Sequence, residues 1–144
     1  WDKIKAQEKS NKDKQNTFGN IPSSLPPILK AKKIQKKAAK KGFDWRESID
    51  VIEKVEEELE ELKHEIQQNN IVNCQEELGD LLFSLVNLSR HLQIDANEAI
   101  SHANHKFVKR FRLMEKEITK NKKKIENLAP DELEKFWVKI KSYD

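Results

Sequence analysis

The sequence predicts an all-α fold, a bundle of helices, and three observations predict it. Apolar residues recur at spacings of three and four along most of the chain, as one face of a helix requires. Only 3 Gly and 4 Pro occur in 144 residues, too little turn chemistry for a sandwich or barrel. No alternating strand pattern competes with the helical one, and no internal repeat is evident. The length suits a single core, and a charged fraction of 37% suits large solvated helix faces.

Residues 1–26 are polar, rich in Lys and Asn, and end in "IPSSLP"; they read as a basic arm or linker ahead of a domain at 27–144. A first helix is expected over 27–41, with Pro27 at its start and Gly42 just past its end. The connector "GFDW" leads to a second helix over 46–68, whose apolar seam is Ile52, Val55, Leu59, Leu62 and Ile66. After "QNN" a third helix is expected over 73–92, with Asn73 as N-cap and Glu76 completing a capping box. A fourth, over 95–120, starts at Asp95 and carries the seam Ile100, Ala103, Phe107, Phe111, Met114 and Ile118. "NKKK" is a solvated exit, and Pro130 opens a last helix to about residue 141.

Charge is segregated along this chain. Residues 1–42 hold 12 Lys and 3 acids (+9), residues 43–80 hold 3 basic residues and 13 acids (−10), and residues 81–144 hold 13 basic residues and 9 acids (+4). The lysine-rich start lacks interleaved aromatics, so a solvated helix is a commoner explanation for it than a nucleic-acid surface. No apolar run approaches the ~20 residues of a membrane span, and no signal peptide is evident. Cys74 is the single cysteine, which excludes a disulfide within the chain and suits the reducing cytoplasm. The start at Trp1 rather than Met reads as a piece of something longer.

The third helix poses the functional question. Leu78, Leu81, Leu82, Phe83, Leu85, Val86, Leu88 and Leu92 cover most of its circumference, yet Glu77, Asp80 and Asn87 interrupt it. At 100° per residue from Leu81, Glu77, Ser84, His91, Asp80 and Asn87 fall in one stripe at roughly −40° to −120°. On the second helix, measured from Val55, Glu58, Glu65, Lys54 and Glu61 form a similar stripe at roughly −60° to −120°, whereas Glu57 points away from the seam. On the fourth, Arg110 and Lys106 flank Phe107 at roughly −60° and −100°.

Both acidic pairs, Glu58-x-x-Glu61 and Glu77-x-x-Asp80, place two carboxylates on one helix face about 5–6 Å apart at Cβ. Like charges so close repel, and a hard divalent cation such as Mg²⁺ or Mn²⁺ turns that cost into binding. Gly79 inside the second pair costs about 1 kcal/mol relative to Ala, and its bare backbone would let another group approach. A di-iron bundle is disfavoured because only Glu61-x-x-His64 fits its Glu-x-x-His requirement. Zinc lacks a ligand set, and no nucleophile elbow is present. Two readings from different classes stand at this point: a metal–phosphate enzyme, and a helical interaction module with solvated acids.

"QKKAAKKGFDW", "EKVEEELEEL", "EELGDLLFSLVNLSRHL", "EAISHANHKFVKRF" and "FWVKIK" resemble the MazG nucleoside triphosphate pyrophosphohydrolases, from about Leu25 to Lys141. The likeness is to the C-terminal of the two related domains in full-length members. It implies an all-α pyrophosphohydrolase fold, a homodimer, and Mg²⁺-dependent conversion of nucleoside triphosphates to monophosphate and pyrophosphate. By motif, Glu58, Glu61, Glu77 and Asp80 match the metal ligands, and Lys54, Glu57 and Glu76 fall in segments bordering the nucleotide. Lys106, Lys109 and Arg110 fall in the phosphate-contacting run, where Lys109 replaces an arginine and so loses the bidentate fork. Trp137 matches a tryptophan near the nucleotide; a core aromatic is its other reading. The expected chemistry is attack on the α-phosphorus by a metal-activated water. Related all-α enzymes act on dUTP or phosphoribosyl-ATP, so a restricted substrate is a further alternative. Asn87 either orients a ligand or pairs with a partner helix.

Overall fold

The computed structural model describes residues 1–5 and 16–144, so part of the expected arm, 6–15, lies outside the described residues. Helices account for every regular element among them, and none is a strand. The order is α1 (Pro27–Lys40), α2 (Ser48–Gln67), α3 (Ile71–His91), α4 (Ala96–Lys120), a 3₁₀ turn (Ile125–Asn127) and α5 (Pro130–Lys141). No helix among the described residues is long and apolar enough to cross a membrane. The chain divides into two compact units, Trp1–Asn97 and Glu98–Asp144.

The helix boundaries follow local chemistry. Pro27 and Pro130 open α1 and α5 in the first turn, where the missing N–H has no intrahelical partner to lose. Four helices end in the same way, with a left-handed residue just past the cap. At the end of α1 this is Gly42 (φ 91°), with Gly42 N–H donating to Ala39 O and Phe43 N–H to Ala38 O. Asn69, Gln93 and Lys122 take that position after α2, α3 and α4, at φ 55–58°. Those side chains are less comfortable there than glycine would be.

The start of α3 differs from expectation. Asn70, not Asn73, is the N-cap: its Oδ1 accepts from Asn73 N–H at 3.2 Å. Asn73 is thereby the third helical residue, and its amide nitrogen donates to Glu65 Oε2 on α2 at 3.2 Å. The turn between α2 and α3 is thus closed by two asparagines in succession. Asp95 caps α4 as expected, accepting from Asn97 N–H at 2.8 Å.

In the first unit α2 and α3 form a helical hairpin, with α1 against α3. What they bury departs from the expected seams. On α2, Val51 and Glu58 are buried, whereas Ile52, Leu59 and Ile66 are exposed; Val55 and Leu62 are half-buried. The inward face is therefore rotated from the expected seam toward the acidic stripe. On α3 the polar stripe turns inward too: Ser84 and Asn87 are buried and Glu77 and His91 half-buried, whereas Leu78, Leu82, Phe83, Leu85 and Leu92 are exposed. Gln35 of α1 is buried and donates from Nε2 to Phe83 O at 2.9 Å, with its Oε1 left unpaired.

The second unit has a conventional apolar core. Met114 and Ile118 of α4 pack with Ile140 of α5, and Phe111, Leu113, Leu133, Phe136 and Trp137 close around them. Ile125 and Leu128, in and after the 3₁₀ turn that follows the solvated "NKKK", join this cluster. The buried part of the α4 seam is its C-terminal half; Ile100, Ala103 and Phe107 are exposed, although the Phe107 ring stacks on Phe111. Lys139 of α5 reaches Glu117 of α4 at 2.7 Å across the surface of this pair.

Gly79 faces open space: a Cβ added there meets no atom within 4 Å outside its own helix. The close approach expected at this glycine does not occur among the described residues. Gly79→Ala should therefore raise stability by about 1 kcal/mol through helix propensity, read by urea unfolding. A decrease would mean that another group closes on Gly79 in solution.

Candidate active site

The hairpin brings the two acidic pairs together. Carboxylate oxygens of Glu58, Glu77 and Asp80 all lie within 4.8 Å of one another. Glu58 is the buried member, Glu77 is half-buried and Asp80 is exposed. The fourth expected carboxylate, Glu61, stands beside Glu77 and Glu58, close enough to hydrogen-bond with each and alter its titration.

Each carboxylate sits in its own electrostatic setting. Glu58 Oε1 is held by Lys54 Nζ at 2.9 Å, one turn back on α2, and Lys54 also reaches Glu57 Oε1 at 3.2 Å. The Lys54 ammonium holds the Glu58 carboxyl below its usual range, against the opposing effect of burial. The same hydrogen bond raises the Lys54 pKa. Glu77 moves the other way, pushed up to about 7 by desolvation first and then by Glu61 and Glu58.

Two of these oxygens, Glu58 Oε2 and Glu77 Oε2, are buried with no hydrogen-bond partner. An unpaired buried carboxylate oxygen is costly. A cation between the helices would satisfy both oxygens, and an all-oxygen set suits Mg²⁺ or Mn²⁺ better than softer metals. The donors therefore fit a hard divalent ion.

The other residues expected at a site are distributed as follows. Glu57 is exposed apart from its contact with Lys54, and Glu76 is exposed at the start of α3. Lys106, Lys109 and Arg110 lie on α4 in the second unit, where with His102, His105 and Asp144 they line a shallow basic cleft of about 380 Å³. Arg110 is not free in it: its Nε donates to Asp144 Oδ2 at 2.5 Å. Trp137 is half-buried, its ring 5.3 Å from that of Phe107, and it packs on the Met114–Ile118–Ile140 cluster.

Sequence reasoning missed a second polar cluster of the first unit. Asp44, in the "GFDW" connector, accepts two bonds from Arg90, Nη2 to Oδ1 at 2.6 Å and Nη1 to Oδ2 at 3.1 Å. His91 Nε2 lies 2.8 Å from the same Oδ1. Arg90 also donates from Nε and Nη2 to Asn87 Oδ1, at 3.1 and 2.8 Å. Asn87 is thus buried as a partner of its own helix's arginine. The Arg90 guanidinium lowers the Asp44 pKa to about 2, with His91 adding to it against partial burial. The connector and "SRHL" segments were conspicuous as motifs, but a pairing between residues 46 apart is visible only once the helices are folded together.

A family model described as the MazG nucleotide pyrophosphohydrolase domain matches residues 46–114, which include all four carboxylates, Lys54 and the α4 cations. The chain carries a MazG domain. It is 44% identical over 144 residues to the nucleoside triphosphate pyrophosphohydrolase/pyrophosphatase MazG of Thermotoga maritima, covering 100% of this chain and 55% of that protein. To the nucleoside triphosphate pyrophosphohydrolase of Escherichia coli it is 38% identical over 143 residues, 98% of this chain and 54% of that one. It is also 37% identical over 148 residues to the uncharacterized protein YabN of Bacillus subtilis, covering 29% of it. The chain thus spans about half the length of the first two relatives. The matched residues stop at 114, within α4, so Trp137 lies outside them.

The shifted carboxyls predict a pH dependence for the metal-free domain. With a folded pKa of about 7 against 4.5 when unfolded, Glu77 adds stability that is fully present below about pH 4.5 and lost as the pH rises through about 7. Asp44 does the reverse at lower pH: its stabilisation is present above 3.8 and lost as the pH falls through about 2. In EDTA, Glu77→Gln should flatten the fall in melting temperature between about pH 4.5 and about pH 7. A wild-type profile in the variant over the upper window would contradict the Glu77 assignment.

Proposed function

We propose that this chain hydrolyses nucleoside triphosphates to nucleoside monophosphate and pyrophosphate in a Mg²⁺-dependent reaction at the α-phosphorus. The observation that carries the reading is the set of three carboxylates with oxygens within 4.8 Å, two of them buried and unpaired, inside a MazG domain. The names of the Thermotoga maritima and Escherichia coli relatives support the reaction class.

In this reading Glu58, Glu61, Glu77 and Asp80 hold the ion. When bound there, Mg²⁺ (with Mn²⁺ as a substitute) supplies positive charge to the triphosphate and lowers the pKa of water at the site. Lys54 keeps Glu58 ionised and fixed in direction, so that one oxygen faces the lysine and the other is left for the cation. Glu77, with a pKa near the working pH, takes up or releases a proton as the site fills and empties. Glu57 and Glu76 border the nucleotide on the motif match. On that match alone, Lys106, Lys109 and Arg110 are assigned to the phosphates and Trp137 to the nucleotide. Arg110 would have to leave Asp144 to act there. The catalytic domain is 27–144, preceded by a basic arm, and the nucleotide pool it would act on is cytoplasmic.

The same reading includes a homodimer. Leu82 and Phe83 on α3 are 54% and 45% exposed, and Leu59 and Ile66 on α2 are exposed as well. Apolar residues in such number on consecutive helices suit burial against a second copy of the chain.

The first experiment is pyrophosphate release from the common ribo- and deoxyribonucleoside triphosphates, with Mg²⁺ and with EDTA. Release that stops with EDTA is expected; none from any nucleotide by a folded protein would overturn the reading. Asp80→Asn should abolish turnover with helical content nearly unchanged, and retention of wild-type activity would rule out its metal role. Leu82→Glu should convert a dimer to a monomer by light scattering, an unchanged mass placing the dimer contact elsewhere.

A further inference from the structure

The hairpin that carries the carboxylates is pinned at both ends by polar contacts. At its closed end, Asn70 caps α3 and Asn73 donates to Glu65 of α2. At its open end, Arg90 on the last turn of α3 grips Asp44 with two parallel bonds, and His91 adds a third contact. Glu58, Glu77 and Asp80 lie between the two clamps.

At the open end α2 is also anchored by Val51, fully buried in its first turn, but no side chain caps it. Glu47, the N-cap of α2, makes no side-chain capping bond. Asp44 precedes the first residue of α2, Ser48, by four positions, and Lys54 and Glu58 follow on the second and third turns. Where the connector is held therefore decides how α2 enters the hairpin. Asp44 is itself locked, since its Oδ1 also accepts from Trp45 N–H at 2.9 Å. Arg90 is locked in turn by buried Asn87, whose Oδ1 accepts from two of its nitrogens. The fork geometry of a guanidinium on a carboxylate fixes direction as well as distance.

We propose that Arg90 is a positioning residue for the metal site: through Asp44 it holds α2 against α3, so that Glu58 stays within reach of Glu77 and Asp80. The inference rests on the metal reading above. Carboxylates that close repel when no ion is present, and a hairpin pinned only at its turn would open at the other end. With both ends pinned, the ligands are already gathered when the ion arrives, so the ordering cost is met by the fold.

The test is the Mn²⁺ dissociation constant of the full chain, read by calorimetry or by the electron-spin signal of free Mn²⁺. Arg90→Ala should weaken Mn²⁺ by about tenfold or more, as loss of a group supporting the ligands does elsewhere, with unchanged helical content by circular dichroism. Arg90→Lys keeps the charge but not the fork and should share the defect. Asp44→Asn should reproduce it from the other side of the contact, which keeps the test open if Arg90→Ala fails to fold. Excess Mg²⁺ should restore turnover in these variants, because the ligands themselves are intact. Ile140→Ala, a core truncation in the other unit, should lower the melting temperature without changing Mn²⁺ affinity.

Wild-type Mn²⁺ affinity in both Arg90 variants would overturn the inference and leave the metal reading standing. Equal loss in Ile140→Ala would also overturn it, by showing that any destabilisation weakens the site. No Mn²⁺ binding by the wild-type chain would instead remove the metal reading, and this inference with it.

Discussion

Carboxylates crowded between two helices repel one another, and the first unit is organised around tolerating that repulsion. Three oxygens within 4.8 Å cannot all carry full charge in a half-buried setting without compensation. The chain supplies it unequally. Lys54 neutralises Glu58, and a raised pKa lets Glu77 keep its proton near neutrality. Asp80, at the exposed edge, has water. Among the described residues, Glu58 Oε2 and Glu77 Oε2 are buried with no hydrogen-bond partner. An all-oxygen cluster of this kind has the ligand chemistry that suits a hard divalent cation.

Facing polar groups inward has a consequence on the opposite side. A helix as apolar as α3 has few other positions for its leucines, so turning Ser84, Asn87 and His91 toward the interior leaves Leu78, Leu82 and Leu85 outside. The second unit shows the ordinary alternative, with Met114, Ile118 and Ile140 inside and the charges out. The contrast between the units is one of purpose. Alongside Val51 and Val86, α2 and α3 bury a carboxylate, a hydroxyl and an amide.

Much of this was legible in the sequence. Helices α1 to α5 could be placed from spacing, prolines and caps, because those signals act within a few residues; the helical stretch at 2–5 was not among them. The acidic and polar stripes also followed from helical arithmetic, which separated Glu58 from Glu57 correctly. Which stripe turns inward did not follow: an apolar-seam rule assumes a core made of hydrocarbon, and it put Ile52, Leu59 and Ile66 inside when they are exposed. The N-cap was misplaced because three candidate asparagines stand within five residues, and only the Asn73–Glu65 contact across the hairpin decides among them. The Asp44–Arg90 grip was invisible for a similar reason. Nothing local distinguishes an arginine that will hold a loop from one that will meet solvent.

The unequal burial of the trio also gives the site a direction. Glu58 is 5% exposed and tied to Lys54, so it can neither swing nor exchange readily with water. Asp80, one turn beyond Glu77 on α3, is exposed. A cation held by all three would be gripped from the Glu58 side and open on the Asp80 side. Incoming phosphate oxygens and water would complete its coordination there, since a hard ion of this kind keeps several positions for water or phosphate. The buried end then sets affinity and geometry, and the exposed end sets access. Asp80→Asn and a change at Glu58 should accordingly fail differently: the first leaves a cradle that has lost its open-side ligand. The second removes the buried ligand and leaves Lys54 without its main partner.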